Sequence, residues 1–205
     1  MTSDNVLGNV YDKYGTRNPV ARWLMAGFLS AVTDLYRQVG PRSVLEVGCG
    51  EGRLAHHLVT HGGRPERFDA CDLSLDRLVP ELDAMITFRE ASIYELPYEA
   101  SSFDLVVCCE VLEHLEDPER GLRELARVSR GPVLISTPRE PLWRLLNMAR
   151  GQYLPALGNT PGHIQHFSSS DLERLAGNVL TDLQRRAPLP WTVLLGRASP
   201  HESQP

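Results

Sequence analysis

The sequence predicts an α/β protein: an open, largely parallel sheet with helices on both of its faces. Three observations lead there. Short, nearly continuous apolar runs recur at 44–47, 103–109 and 132–137, the mark of strands buried on both sides. Between them, apolar residues fall at helical spacing, as at 54–59 and 122–128. The first strand passes through three alternating glycines into a helix, and an acidic residue, Asp72, ends the next strand 20 residues beyond Gly52. Strand, glycine turn, helix and terminal acid make the first half of a nucleotide-binding βαβ unit. All 205 residues fit a single domain, without repeats or low complexity.

In chain order, residues 1–10 are polar and expected to be loosely held. Tyr11, Tyr14 and Arg17 follow in a stretch richer in functional groups than a lead-in requires. Asn18 reads as a helix N-cap and Pro19 as a first helical residue. Val20, Trp23, Leu24, Gly27, Phe28, Ala31, Val32 and Leu35 then recur at helical spacing. They predict an amphipathic helix that ends near Gly40-Pro41. Val44, Leu45 and Val47 give the first strand, and Leu54, Ala55, Leu58 and Val59 the inner face of the helix after the glycines.

The turn between them is Glu46-Val47-Gly48-Cys49-Gly50-Glu51-Gly52. Glycine has no Cβ, so such a backbone bends sharply and admits a ligand against its peptide planes. Dinucleotide loops carry a third glycine where this chain has Arg53, and the lysine of a triphosphate loop is missing. An acidic residue ahead of the loop suits a cationic ligand better than a pyrophosphate. The stretch resembles motif I of the class I S-adenosylmethionine-dependent methyltransferases, of the small-molecule, methyltransferase-11-like kind. The resemblance is strong over residues 40–137. It implies a Rossmann-like seven-stranded sheet of order 3-2-1-4-5-7-6, strand 7 antiparallel, with a small cap. It also implies S-adenosylmethionine as cofactor, with S-adenosylhomocysteine as its product, held by Glu46, Gly48, Cys49 and Gly50. A glycine turn that binds nothing is the alternative.

Residues 67–72 predict a second strand, and Leu73 to Asp76 the start of a helix. Asp72, with Leu73 beside it, stands where a βαβ unit accepts hydrogen bonds from ribose hydroxyls. Capping the helix is its other possible duty, one that Ser74 can fill. Residues 86–89 form a short third strand. Residues 90–98 resemble the family's G-D-A-x-x-L-P-F motif, which implies that Ser92, in place of the usual Asp, accepts from the adenine amino group and that Ile93 packs on the purine. Residues 103–110 are the fourth strand, and F-D-L-V-V-C-C-E-V-L-E-H-L resembles the family's motif at its end. This implies that Cys109 and Glu110 line the methionine half of the cofactor and that His114 reaches the transferred methyl; a histidine packed under the loop is the alternative. Asp117 and Pro118 start a helix buried through Leu122, Leu125, Ala126 and Val128. Its Arg120, Arg123 and Arg127 interleave with Glu119 and Glu124 as a solvated ion-pair face. A fifth strand follows at 131–137.

Residues 138–167 form an insertion far longer than a strand-to-helix connection requires, a sign of function. A short helix is expected from Pro141 to Arg150, then a loop, then His163-Ile164-Gln165-His166-Phe167. Arg139, Trp143, Arg144, Asn147 and His166 are expected to face the acceptor, with Leu142, Leu145 and Leu146 packing beneath; tying the loop to the domain is the alternative. Many family members carry H-x-x-x-F ahead of the next helix, and His163 matches its first position. His163, and secondarily His114, is therefore expected to act as base or acceptor anchor. By the same resemblance Tyr11, Tyr14 and Arg17 belong to a lid over the cofactor mouth. His163 and His166 lack a third ligand at a sensible spacing, and methyl transfer needs no metal, so no metal is expected. Ser168 to Asp171 fits a capping box before Leu172, Leu175, Ala176 and Val179, and two closing strands follow at 183–187 and 191–197. The domain thus divides into a lid and helix at 1–39, a cofactor core at 40–137, the insertion at 138–167, closing elements at 168–198 and a frayed tail at 199–205.

A net charge of −5 argues against nucleic acid or an anionic membrane as partner. No apolar run approaches the length of a membrane span, and residues 1–8 lack the apolar region of a signal peptide. The four cysteines show no CxxC spacing and read as small buried hydrophobes in a reducing cytoplasm. The expected protein is a cytoplasmic monomer or homodimer that methylates a small-molecule acceptor of secondary or sugar metabolism, with oxygen as the acceptor atom. A hydroxyl needs a base; a carboxylate or phosphonate needs a cationic anchor such as Arg17, Arg139 or Arg144. The alternatives are another Rossmann-type enzyme such as a dehydrogenase, against which Arg53 speaks, and a non-catalytic cofactor-binding scaffold, against which the Gly48-Gly50-Asp72 set speaks.

Overall fold

Asn18 accepts the backbone N–H groups of Val20 and Ala21 and so starts α1 (Pro19–Val39), which Gly40 ends at φ 59°. The computed structural model describes residues 18–149, 151 and 153–198. Tyr11, Tyr14 and Arg17, expected as a lid, lie outside the described residues, as do Arg150 and the tail. The strands are β1 (Ser43–Val47), β2 (Arg67–Asp72), β3 (Ile86–Glu90), β4 (Leu105–Cys109), β5 (Pro132–Pro138), β6 (Leu180–Arg186) and β7 (Trp191–Ala198). They form one sheet of order β3-β2-β1-β4-β5-β7-β6. β1 to β5 are parallel, and β7 runs antiparallel to both β5 and β6. The connections from β1 and β4 lead to opposite sides of the sheet, which opens a crevice at the carboxyl ends of these two strands.

Two apolar layers cover the sheet. One joins Phe28, Val32, Leu35 and Tyr36 of α1 to Leu54 and Ala55 of α2 (Arg53–His57) and to Trp143 of α4 (Leu142–Ala149). The other packs Leu122, Leu125 and Val128 of α3 (Pro118–Val128) with Leu172 and Ala176 of α5 (Ser169–Gly177). Both α3 and α5 start where their caps predict: Asp117 accepts from Arg120 N, and Ser168 with Asp171 makes a complete capping box. α2 ends in a π-helical turn, Leu58–Gly62.

Three expectations are corrected here. No helix forms after Asp72: residues 73–85 are irregular apart from turns. Pro80 leaves only seven residues for one, and a proline removes an amide and disfavours helical backbone at Val79. Val79 N donates instead to Glu51 O at 3.2 Å, laying this segment against the glycine loop. On α1, Val20 and Trp23 belong to the apolar stripe yet are 62% and 66% exposed, because burial starts only at Met25. The charges of α3 are more than a solvated face. Arg127 pairs with Glu124 at 2.7 Å and also donates to the Leu96 and Tyr98 carbonyls, while Glu124 accepts from Leu96 N. Together they tie the 91–98 loop to the helix.

At the far edge, β6 is broken by a bulge between Thr181 and Gln184, with Asp182 at φ 53°. Arg185 there pairs with Glu173 at 3.1 Å. All four cysteines are buried and free, and loss of solvation pushes each thiol upward, as expected of small hydrophobes.

Candidate active site

β1, β2, β4 and β5 all deliver their carboxyl ends to one edge of the sheet. The glycine loop leaves β1 with Gly48 at φ 79° and Gly50 at φ 52°. Gly48 N and Cys49 N both donate to Cys71 O, at 2.8 and 3.0 Å, which binds the loop to β2. A Cβ at Gly48 would lie 2.2 Å from Val111 Cγ2, so the glycine is what lets the segment after β4 approach. A Cβ at Gly50 would meet nothing within 4 Å, so the loop borders open space there.

Asp72 closes this space from the end of β2. Its Oδ2 accepts Gly50 N at 2.7 Å and its Oδ1 accepts Leu73 N at 2.7 Å. Each carboxylate oxygen keeps a further lone pair for an incoming hydroxyl. With no helix beneath it, Asp72 is not a helix cap. Leu73 beside it is 61% exposed. Ser92 Oγ accepts Tyr94 N at 3.2 Å, and Ile93 packs within the layer under α3, so little of its surface remains for a purine.

Glu46 lies beneath the loop, 3% exposed. Burial, then the nearby Asp72 charge, push its carboxyl up to about 8, although it accepts the Ala55 N–H. Its Oε2 has no hydrogen-bond partner among the described residues. Its first effect is to latch β1 to the start of α2.

Cys109 is buried at the end of β4, opposite Ser136 of β5 in the sheet register. Glu110 follows at φ 61°, a left-handed backbone that costs a non-glycine residue of the order of 1 kcal/mol or more and clusters at functional sites. Its N–H donates to Ser136 O at 3.0 Å, which fixes the backbone as the chain leaves β4.

The insertion reaches the same place from β5. Ile164 N and Gln165 N both donate to Glu113 O at 3.0 Å. This clamp sets the His163 ring against the His114 ring, edge to face, with centroids 4.9 Å apart. His114 Nδ1 bonds the Gly162 carbonyl at 2.8 Å. Glu113, 2% exposed, completes the group: one ligand atom each of Glu113, His114 and His163 lies within 4.8 Å of the others. The two expected histidines are therefore brought together, and Glu113 joins them. Sequence reasoning passed over Glu113, although a carboxylate amid Val111, Leu112 and Leu115 was a signal. His166 stands apart, exposed and 3.8 Å from Glu140, so it does not join His163 in the group the fold assembles.

Three α4 residues lie otherwise than expected, while Leu142, Arg144 and Leu146 are half-buried. Trp143 and Asn147 are buried on its inner face, while Leu145 is 54% exposed. Trp143 Nε1 donates to Thr160 Oγ1 at 2.9 Å, and Asn147 Nδ2 donates to Gly158 O at 2.9 Å and Thr160 Oγ1 at 3.2 Å. An irregular loop carries polar groups that must be satisfied, and these side chains meet the Gly158 carbonyl and the Thr160 hydroxyl. Arg144 Nε likewise donates to Leu157 O at 3.0 Å. Arg139 remains half-exposed at the end of β5.

Residues 45–133 match the family model of the methyltransferase domain. A ubiquinone biosynthesis O-methyltransferase of Alkalilimnicola ehrlichii is 32% identical over 144 residues, 66% of this chain and 58% of that protein. A probable S-adenosylmethionine-dependent methyltransferase of Mycobacterium tuberculosis is 30% identical over 150 residues, 69% of this chain and 50% of that protein. The chain thus spans between half and three fifths of the length of these curated relatives. Among solved structures, the fold is shared with magnesium protoporphyrin IX methyltransferase from Synechocystis with bound S-adenosylhomocysteine. The TM-score is 0.61 at 18% identity, covering 90% of each chain. Strand order, family match and relatives agree: the chain is similar to the class I S-adenosylmethionine-dependent methyltransferases, in sequence over residues 45–133 and in the fold of its sheet.

Proposed function

We propose that this protein binds S-adenosylmethionine at the crevice between β1 and β4 and directs its methyl group to an oxygen of a small-molecule acceptor. One observation carries the reading: the glycine loop and its Asp72 stand at the same sheet edge as the His114–His163–Glu113 group. The residues fit the cofactor. Open space lies before Gly50, a carboxylate with spare lone pairs lies beside it for ribose hydroxyls, and Leu73 offers an exposed apolar surface. Bound there, S-adenosylmethionine supplies an electrophilic sulfonium methyl and leaves as a neutral thioether. What remains for the protein is alignment, which supplies roughly 7–11 kcal/mol of such a barrier, and handling of the acceptor proton. That duty falls to the histidine group, and Arg139 stands ready for an anionic part of the acceptor. The O-methyltransferase relative supports oxygen as the acceptor atom.

The test is a panel of small hydroxylated and carboxylated compounds with methyl-labelled cofactor, alongside calorimetric binding of S-adenosylhomocysteine. Label recovered in an ether or ester linkage is the expected result. Binding without transfer to any oxygen would overturn the acceptor assignment, and absence of binding would overturn the site.

A further inference from the structure

We propose that Glu113, His114 and His163 form a site for a divalent first-row transition-metal cation, which holds the acceptor through a hydroxyl oxygen. The site stands on geometry alone; its duty toward the acceptor rests on the oxygen-directed reading above.

Among the described residues, these three each present one ligand atom within 4.8 Å of the others. An ion about 2.0–2.2 Å from imidazole nitrogen and carboxylate oxygen can be enclosed by such a group after modest side-chain adjustment. The surroundings prepare them for it. The Gly162 carbonyl can only accept, so a neutral His114 carries its proton on Nδ1 and keeps its lone pair on Nε2. That outer bond is the one by which metal-ligating histidines are oriented. His163 is positioned by main chain, through the two N–H donors to Glu113 O, and its ring is backed by Trp143, with centroids 6.5 Å apart and planes within 23°. Glu113 and His163 are 2% and 7% exposed, so two of the three ligands are held inside the fold.

The donor set sets the chemistry. Two imidazoles and one carboxylate suit zinc, cobalt, iron(II) or manganese better than calcium. Three protein ligands leave coordination positions open, as in catalytic sites and unlike closed structural ones. Val111, two residues before Glu113, lies against Gly48, so the group stands next to the glycine loop. A hydroxyl bound to the cation loses its proton more readily. The step balances: the acceptor O–H proton goes to solvent, the O–CH3 bond forms, the S–CH3 bond breaks, and the sulfonium becomes a neutral thioether. A carboxylate acceptor has no proton to lose and gains nothing from such activation, so the site selects a hydroxyl.

Chelator-treated protein titrated with Co²⁺ tests this by visible absorption. One equivalent should develop ligand-field bands. Binding should weaken at least tenfold in His163→Asn and in Glu113→Gln, and stay unchanged in His61→Asn, whose ring lies in a separate stacked pair with His57. Adenosylhomocysteine binding and melting report whether each variant is folded. Should the ligand variants fail to fold, the wild-type titration decides: absence of stoichiometric bands overturns the site, as do unchanged affinities in folded variants. Methyl transfer to a hydroxyl acceptor should fall at least tenfold on chelation and return with added cation. Transfer unaffected by chelation would overturn the metal's duty while leaving methyl transfer standing. Stoichiometric Co²⁺ binding with no transfer to any hydroxyl would uphold the site and sink the acceptor reading.

Discussion

The glycine-loop side of the site is made by backbone, whereas the histidine side is made by side chains that meet from distant stretches of chain. On the first side, Gly48 N, Cys49 N and Gly50 N are the working groups, and side-chain identity matters chiefly where a Cβ would intrude. On the second, Glu113 and His114 come from the turn after β4 and His163 from the insertion after β5, so nothing works until both have folded. Backbone sites are specified by a few contiguous residues; side-chain sites depend on the whole insertion being correctly packed.

The largest effect expected is of pH, through Glu46 under the loop. Its carboxyl is raised to about 8 from an unfolded value of 4.5, so between these values the native state holds the extra proton. Its contribution to stability is complete below pH 4.5 and is lost as pH rises through 8. One such group changes stability by up to about 1.4 kcal/mol per pH unit. Glu46→Gln, measured by urea unfolding across this range, should flatten that slope and gain on the wild type as pH rises; parallel curves would refute the buried acid.

Next in size are the loop glycines, which separate packing from binding. Gly48→Ala should cost about 3 kcal/mol, from a Cβ 2.2 Å from Val111 Cγ2 and a left-handed backbone. Adding Val111→Ala removes the clashing atom and should restore part of the loss; additivity of the two changes would show that the contact is not the cause. Gly50→Val, whose Cβ meets nothing, should cost only about 1 kcal/mol in stability, for its φ, yet abolish S-adenosylhomocysteine binding. Intact affinity would mean that the open space is not the cofactor's.

Asp72→Ala should weaken S-adenosylhomocysteine binding by roughly 1–3 kcal/mol, since a charged acceptor of hydrogen bonds is lost. Calorimetry showing wild-type affinity would remove it from the ribose. The smallest effect belongs to the other side. Trp143→Phe should lose about 1 kcal/mol of stability with its Thr160 bond and leave acceptor KM unchanged. A raised KM at unchanged stability would show that Trp143 faces the acceptor after all.

What could be read from the sequence follows the same divide. Strand runs, the caps at Asn18, Asp117 and Ser168, the glycine loop and Asp72 are local signals, and the structure places each of them as expected. The absent helix after Asp72 was also local in cause, with Pro80 cutting it short. Tertiary facts escaped. Which face of α4 turns inward depends on the loop groups that Trp143 and Asn147 meet, the Thr160 hydroxyl and the Gly158 carbonyl, and those lie ten or more residues away. Glu113 enters the site only because the insertion folds back on it, and the left-handed backbone of Glu110 leaves no trace in residue type.

The β6 edge bears on how the protein keeps company with itself. An edge strand exposes unpaired N–H and C=O groups, a template on which a second sheet can extend. Here the bulge between Thr181 and Gln184 and the left-handed Asp182 interrupt the repeat that a partner strand would have to follow. Arg186 adds exposed positive charge that two copies meeting edge to edge would set against itself. The irregular strand thus acts as a terminator, favouring a sheet that stops at seven strands over one that continues into a neighbour and aggregates.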